Sequence, residues 1–401
     1  MAGQSLLLLP LPPRTASRRS ISANYQQPLA SVLSHLKNPN HSSILVIAVV
    51  GSFLQQASGD HAGEQRIPWS QIQATLSSLY SLVAFLSAKQ SIASDADAGP
   101  NSVDVRLVFV HSGEGSGKRA SGNGEFNGTI IRDLATFARV RNLWDSVFYL
   151  KTQEGRSLLD AYTKVVGERG AQHRTIGLEC ASSTHSEAEP ESPRTNTGST
   201  NGYSVVCLGG TFDHLHPGHK LLLSAAAILL KVPQSSAHPS RFIIGVTGDE
   251  LLKNKKYAEY VQSWEVRARS VLDFLHSFID CENEVGPRIS SKIPTELTGS
   301  YRNGSVIVEC VEIQEPFGPT ITVEDMDALI VSGETRSGGQ AVNDKRKEMG
   351  WKEVKVYEVD VLDAQGIASD EPSKTEDWEA KISSTAIREQ RAKAGAGSGR
   401  L

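Results

Sequence analysis

Two histidines three residues apart are the residues of this chain best suited to bind phosphate. Residues 209–219 read GGTFDHLHPGH and lie between two apolar runs, SVVCL and KLLLSAAAILL. The two glycines permit a sharp turn close to a ligand, and Pro217 suits the first turn of a helix. A helix that begins here points its free N–H groups and positive dipole end into the turn. We therefore predict that His216 and His219 contact phosphate oxygens at this helix terminus.

The elements that must position this turn follow it along the chain. After residue 203, strand-like runs alternate with helical segments. The strands are predicted at 204–208, 242–246, 306–313, 328–331 and 354–361, and the helices near 217–230, 263–279, 338–349 and 384–394. Such alternation indicates a mostly parallel sheet with helices on both faces, and ligands bind at the carboxyl ends of its strands. The pattern predicts a Rossmann-like α/β domain over residues 203–395.

A smaller α/β domain of unknown role is predicted before it, over residues 1–175. Residues 44–50 and 105–110 are short apolar runs typical of buried strands, while 130–138 and 158–166 have helical spacing. Residues 176–202 are rich in Ser, Thr, Glu and Pro and poor in apolar side chains, which favours a flexible linker. A length of 401 residues fits this division into two domains.

Composition argues against several classes of protein. A net charge of −4 lacks the basic footprint of a nucleic-acid partner. The four cysteines, at 180, 207, 281 and 310, form no cluster, so we expect neither zinc binding nor a disulfide framework, and a reducing compartment. No apolar run reaches the roughly 20 residues that span a bilayer. Residues 1–59 carry basic residues but no Asp or Glu, as transit peptides do. We expect a cytoplasmic protein, with a mitochondrial one as the alternative.

Two segments together resemble a known superfamily. GGTFDHLHPGH is similar to the GTFD…HxGH signature of the nucleotidylyltransferases related to class I aminoacyl-tRNA synthetases. Residues 382–388, ISSTAIR, resemble the ISSTxIR motif of the same superfamily and fall where it is expected, after the last predicted strand. We expect the serines of this segment to cap the final helix. Its hydroxyls, its exposed amides and Arg388 would then hold ATP phosphates.

Three further segments resemble the eukaryotic and archaeal branch of pantetheine-phosphate adenylyltransferases. They are EPFGPT at 315–320, ALIVSGET at 328–335 and GGQAVN at 338–343. The resemblance spans about residues 204–394. It departs from the family at Ser337, where an arginine often precedes the two glycines, and Arg336 stands one position earlier.

The resemblance implies that the phosphate of 4′-phosphopantetheine attacks the α-phosphorus of ATP, giving dephospho-coenzyme A and pyrophosphate. The nucleophile is already an anion, so catalysis would consist of alignment and charge stabilisation. Lys253 is preferred to Lys255 and Lys256 by its position after Leu-Leu. Mg²⁺ would be bound through ATP oxygens, without protein ligands. The implied catalytic residues are His216, His219, Lys253 and Arg388; the implied substrate-binding residues are Gly209, Gly210, Thr211, Phe212, Asp213 and Arg336; and the implied ATP-binding residues are Gly218, Ser383, Ser384 and Thr385.

Other functions stay open at this point. A cytidylyltransferase that uses CTP and a phosphorylated alcohol shares the GTFD…HxGH signature, and a catalytically weak nucleotide-binding scaffold is the alternative from another class. Residues 112–119 superficially resemble a P-loop but lack its first glycine and its final hydroxyl residue. We therefore expect a flexible loop here, and no additional dephospho-coenzyme A kinase activity. We expect the residues after about 200 to carry the whole activity. Association with other enzymes of coenzyme A synthesis is a further possibility.

Overall fold

The computed structural model describes residues 3–11, 18–56, 65–95, 97–112, 127–141, 143–167, 173–180, 199–280, 286–362 and 383–398. Residues 113–119 of the P-loop-like segment and residues 181–198 of the expected linker lie outside these ranges. In the described ranges, no helix combines the length and the apolar character needed to cross a membrane.

The first half of the chain forms an entirely parallel sheet of order β6-β5-β2-β1-β7-β8. Its strands are β1 (Gly3–Pro10), β2 (Ser43–Gly51), β5 (Val103–His111), β6 (Arg132–Asp133), β7 (Ser146–Leu150) and β8 (Arg174–Leu178). The strands predicted at 44–50 and 105–110 are confirmed as β2 and β5. β1 lies at the centre of the sheet, with its leucines buried, because it pairs with β2 on one side and β7 on the other.

The helices of this half cover the sheet. They are α1 (Arg18–Leu36), α2 (Trp69–Lys89), α3 (Leu134–Val140) and α4 (Gln153–Val166). The helical spacing at 158–166 is confirmed in α4. The prediction at 130–138 is wrong over its first four residues, because β6 extends the sheet there. Asp133 then caps α3, accepting a hydrogen bond from the N–H of Thr136.

The second half forms a sheet of order β12-β13-β14-β11-β10-β15-β16. Its strands are β10 (Val205–Gly210), β11 (Ser240–Thr247), β12 (Arg288–Ser290), β13 (Glu296–Tyr301), β14 (Val306–Ile313), β15 (Ala328–Ser332) and β16 (Lys355–Val359). All the strands predicted after residue 203 are present, and the Rossmann-like α/β fold is confirmed. β12 and β13 were not predicted; they pair antiparallel at one edge.

The switch in strand order locates a crevice. Along the chain, the parallel strands follow one another as β10, β11, β14, β15 and β16. Across the sheet they lie in the order β14, β11, β10, β15, β16, so successive strands are added in opposite directions on the two sides of the boundary between β10 and β15. Ligands of open α/β sheets bind at such a point, outside the carboxyl ends of the strands. The helices of this half are α5 (Pro217–Ile228), α6 (Trp264–Ile279), α7 (Arg336–Glu348) and α8 (Ser384–Ser398). α5 follows β10 and begins at this crevice.

The two halves share one hydrophobic core. A continuous cluster of buried side chains includes leucines of β1, residues of α2, and Ala225 to Leu230 of α5 and its C-terminus. α5 packs against α2 and β5 on one side and against β10 and β15 on the other. A third, small sheet of β3 (Gln55–Gln56), β4 (Gln65–Pro68) and β9 (Ser199–Thr200) also brings the two halves together. The division at residues 175 and 203 stays a prediction; β8 continues to Leu178.

Candidate active site

The turn after β10 carries the two histidines and has a constrained backbone. Phe212 and His214 have φ values of 53° and 48°, which lie in the left-handed region that non-glycine residues rarely adopt. Both side chains are buried. A Cβ atom on Gly210 would lie 2.8 Å from the Phe212 ring, so only glycine fits there. Left-handed residues of this kind persist where surrounding contacts hold them.

Arg267 supplies many of those contacts. It is fully buried on α6 and donates to the carbonyl oxygens of Thr211 and Thr247 at 2.7 and 2.8 Å. It also donates to the carbonyl of Gln262 at 2.9 Å and to Asp249 Oδ1 at 2.6 Å. Sequence reasoning missed this residue. Its signal was an arginine on the apolar stripe of a helix, where a charge must have buried partners.

His216 is the N-cap of α5. Its Nδ1 accepts a hydrogen bond from the N–H of Gly218 at 3.2 Å, so the ring proton lies on Nε2 and can be donated to a ligand. Burial lowers the pKa of His216 well below its ordinary value, and the charges of Lys220 and His214 lower it further. The ring is therefore a neutral hydrogen-bond donor near pH 7.

His219 stacks on His216, with ring centroids 3.9 Å apart and planes inclined by 27°. Its other neighbour is the Phe212 ring, at 5.4 Å. The Nδ1 atom is buried and has no hydrogen-bond partner among the described residues. Burial, together with nearby positive charge, lowers the pKa of this ring too. An unpartnered nitrogen at a helix amino terminus suits a ligand that supplies the missing contact.

His214 has a different state from the pair that follows it. Its Nε2 lies 3.0 Å from the carbonyl oxygen of Tyr260, and its Nδ1 lies 3.1 Å from Asp97 Oδ2. Two acceptors are satisfied together only by the doubly protonated ring. Burial lowers the pKa of His214, but its hydrogen bond to Asp97 and the charge of Asp213 outweigh that effect, so its pKa is raised. Sequence reasoning did not assign it a role.

The ISSTAIR segment meets the GGTFDHLHPGH turn through Asp213. Arg388 on α8 donates to Asp213 Oδ2 at 2.6 Å, and both side chains are buried. Ser384 donates to the Asp213 carbonyl at 2.9 Å, while Ser383 accepts from the N–H of Ala386 at 3.3 Å. Arg388 also contacts the Thr385 hydroxyl at 3.2 Å. The two signature segments therefore touch, and direct contact of Arg388 with phosphate stays a prediction.

The other expected residues are more exposed. Lys253 follows β11 and pairs with Glu250 at the surface. Arg336 begins α7, after β15, and forms a bidentate pair with Glu358 of β16. Both stand near the carboxyl ends of parallel strands, on the same edge as the histidines. Each of these side chains is able to move toward a ligand, because it is itself exposed and surface ion pairs are weak.

The EPFGPT segment forms a tight turn at the same edge, after β14. Glu315 accepts hydrogen bonds from the N–H groups of Phe317 and Gly318. Gly318 has a φ of 49°, and a Cβ there would lie 2.5 Å from Ile313. The glycine is therefore required by the backbone, and the segment presents a defined shape beside the crevice.

One group of side chains has the spacing of a metal site. In the described part of the chain, ligand atoms of Asp95, Asp97 and His214 lie within 4.8 Å of one another. Arg391 donates to Asp95 at 2.8 Å and lies 3.0 Å from Asp97. A guanidinium and a protonated imidazole already neutralise these carboxylates, so the group fits an ion-pair cluster better than a cation site.

Comparisons with known proteins agree with this geometry. The cytidylyltransferase-like family matches residues 207–390, and a family described as a domain of unknown function (DUF8446) matches residues 1–183. The phosphopantetheine adenylyltransferase of Saccharomyces cerevisiae is 36% identical over 188 residues, which cover 47% of this chain and 48% of that one. The phosphopantetheine adenylyltransferase of Pyrococcus horikoshii is 30% identical over 160 residues, which cover 40% and 80%.

A third relative extends into the first half of the chain. An uncharacterized protein of Schizosaccharomyces pombe is 31% identical over 256 residues, covering 63% of this chain and 67% of that one. By contrast, the chain spans about half the length of the Saccharomyces cerevisiae relative.

The fold and the crevice define a nucleotidyltransferase-like α/β protein. Residues 207–390 of the chain form a cytidylyltransferase-like domain. Its similarity to proteins named phosphopantetheine adenylyltransferase, from a yeast and an archaeon, confirms the resemblance that the GTFD…HxGH, EPFGPT and VSGET segments predicted.

Proposed function

We propose that this chain transfers AMP from ATP to 4′-phosphopantetheine, giving dephospho-coenzyme A and pyrophosphate. The observation that carries the proposal is the stacked pair of neutral histidines at the amino terminus of α5. His216 offers an Nε2–H, and His219 has an Nδ1 without a hydrogen-bond partner among the described residues. Both lie at the switch point of a parallel sheet, where nucleotide ligands bind.

The site suits phosphoryl chemistry without a general base. The attacking group is a phosphate anion, and negative charge grows on the pyrophosphate that leaves. Neutral donors held at a helix terminus stabilise such charge without reorganising during the reaction. Because the pKa values of His216 and His219 are lowered, these rings act as hydrogen-bond donors rather than as acids that titrate near pH 7.

The remaining expected residues take supporting roles. Thr211 orients the attacking phosphate from the turn that Arg267 holds. Lys253 and Arg336 add positive charge after moving from their surface partners. Arg388 keeps the ISSTAIR helix against Asp213, so that Ser383, Ser384 and Thr385 face the triphosphate. Mg²⁺ would be bound by ATP oxygens and would neutralise part of their charge. The oxygens of Asp213 already accept from Arg388 and from the N–H of Gln262.

Incubation of the full chain with ATP, Mg²⁺ and 4′-phosphopantetheine tests the proposal. Mass spectrometry should detect dephospho-coenzyme A, and the yield should fall when CTP replaces ATP. Phosphocholine and glycerol 3-phosphate serve as control acceptors. Turnover of either with CTP would identify a cytidylyltransferase instead. Nucleotide binding without turnover of any of these acceptors would favour a scaffold.

A further inference from the structure

Two charged residues bracket the HxGH segment, and an aspartate of the first half of the chain anchors each of them. His214 lies two residues before His216, and Lys220 directly follows His219. Asp97 Oδ2 lies 3.1 Å from His214 Nδ1, and Asp104 Oδ1 accepts from Lys220 Nζ at 2.6 Å. The turn that carries the proposed catalytic pair is therefore anchored at both ends from outside its own sheet.

The anchor at Lys220 is a deeply buried ion pair. Lys220 lies on the first turn of α5 and is 1% exposed. Its second hydrogen bond goes to the carbonyl oxygen of Ser94, at 2.9 Å. An ammonium group in such a place needs its carboxylate, since removal of one partner leaves an uncompensated buried charge. The start of α5 thus depends on Ser94 and Asp104.

The anchor at Asp97 joins three parts of the site. Its Oδ2 accepts from Gln262 Nε2 at 2.9 Å as well as from His214. It also lies 3.0 Å from Arg391 Nη2, on α8, the helix that begins within ISSTAIR. Gln262 in turn accepts from the backbone N–H of His214 at 2.8 Å. One carboxylate therefore links the signature turn, the segment before α6 and the final helix.

We propose that the first half of the chain is a working part of the active site, and that Asp97 is a positioning residue that holds the GGTFDHLHPGH turn and the ISSTAIR helix in register for nucleotide binding. The inference rests on the proposed function of that crevice. It gives a role to residues whose family is described as a domain of unknown function. It also replaces our expectation that residues after about 200 suffice for activity.

The full-length variant Asp97→Ala tests the inference. Loss of the carboxylate removes one contact from the His214 ring and one from Arg391, which keep only Tyr260 and Asp95 respectively as the partners described above. A misplacement of about 1 Å at a reacting site lowers the rate by about 100-fold. We expect a fall of roughly 10- to 100-fold in kcat/KM for ATP, with the KM for 4′-phosphopantetheine changed less. Asp97→Asn keeps an acceptor oxygen for His214 and should recover part of the loss. If Asp97 were needed only for folding, its loss would affect the kinetic constants for ATP and for 4′-phosphopantetheine equally.

Glu179→Gln is the matched control, because it also removes one carboxylate from the first half of the chain. Glu179 pairs with Lys151 in an exposed site, and its loss should leave both KM values unchanged. Calorimetry of ATP and CTP binding gives a readout that needs no turnover, and urea unfolding reports stability. Wild-type binding and KM values in Asp97→Ala would overturn the inference. A wild-type chain without dephospho-coenzyme A synthesis would instead overturn the proposed function, while nucleotide binding would still test the role of Asp97.

Discussion

Replacement of His219 by alanine separates a catalytic histidine from a packing one. The ring stacks on His216 at 3.9 Å and lies 5.4 Å from Phe212, and its Nδ1 has no partner among the described residues. Truncation removes two ring contacts, worth about 0.5–1.5 kcal/mol each. It breaks no hydrogen bond between Nδ1 and a described residue. We therefore expect a loss of about 1–3 kcal/mol in the free energy of unfolding.

The effect on catalysis should be larger than the effect on folding. Loss of one preorganised donor to developing negative charge costs on the order of 10²–10³ in kcat, or about 3–4 kcal/mol. The same contact is weaker in the ground-state complex with ATP, because the negative charge has not yet developed there. The KM for ATP should therefore change only modestly. Steady-state kinetics at saturating 4′-phosphopantetheine and urea unfolding of the same preparation measure the two quantities. His216→Ala should give the same pattern.

His276→Ala is the control for these variants. His276 is also half-buried, lies on α6 and has an Nδ1 without a hydrogen-bond partner in the described part of the chain. Its ring lies 6.4 Å from that of Tyr301, away from the turn. We expect a similar loss of stability with an unchanged kcat. If His219→Ala behaved like His276→Ala, with near-normal kcat in a less stable protein, the assignment of His219 to catalysis would be refuted.

Three further outcomes follow from the charged groups of the site. Arg388→Met should lower the free energy of unfolding by about 3–5 kcal/mol, since it leaves the buried Asp213 carboxylate without its cation. A urea midpoint equal to wild type would contradict this. Arg336→Ala should raise the KM for 4′-phosphopantetheine at an unchanged melting temperature, because its pair with Glu358 is exposed. The lowered pKa values of His216 and His219 mean that the unfolded chain binds more protons below about pH 6.5. Their stabilising effect is thus complete above that pH and is lost as the pH falls toward the folded-state values. Urea unfolding at pH 7.5 and 5 should show a smaller pH-dependent loss in His219→Ala than in wild type.

Local sequence patterns predicted the parts of the site that depend on local structure. The glycines, Pro217 and the apolar run after them indicated a strand, a turn and a helix in the correct order, and the structure has β10 and α5 there. The same pattern predicted the edge of the sheet at which the strand ends meet. These features follow from backbone preferences and from burial of one face, which a single sequence displays.

Contacts between distant residues could not be predicted in this way. Asp97 and His214 are 117 positions apart, and Arg388 and Asp213 are 175 apart, so no local spacing indicates either pair. The segment 130–138 shows the related error at short range. Its helical period is real, but Arg132 pairs with Val110 at a sheet edge, and the helix begins only at Leu134. Tertiary pairing decided the structure there.

The sequence of α5 nevertheless contains a signal that two layers cover it. A surface helix has a polar face, yet from Lys220 to Ile228 only Leu222 is not buried. Its triple alanine permits close approach of α2, and its single lysine finds its carboxylate on β5. A fragment of residues 200–401 would expose this apolar face and leave Lys220 without its carboxylate partner, Asp104. We therefore expect it to aggregate or to unfold in urea well below the full chain, as size-exclusion chromatography and circular dichroism would show. A monodisperse fragment with full activity would mean that the first half of the chain is dispensable.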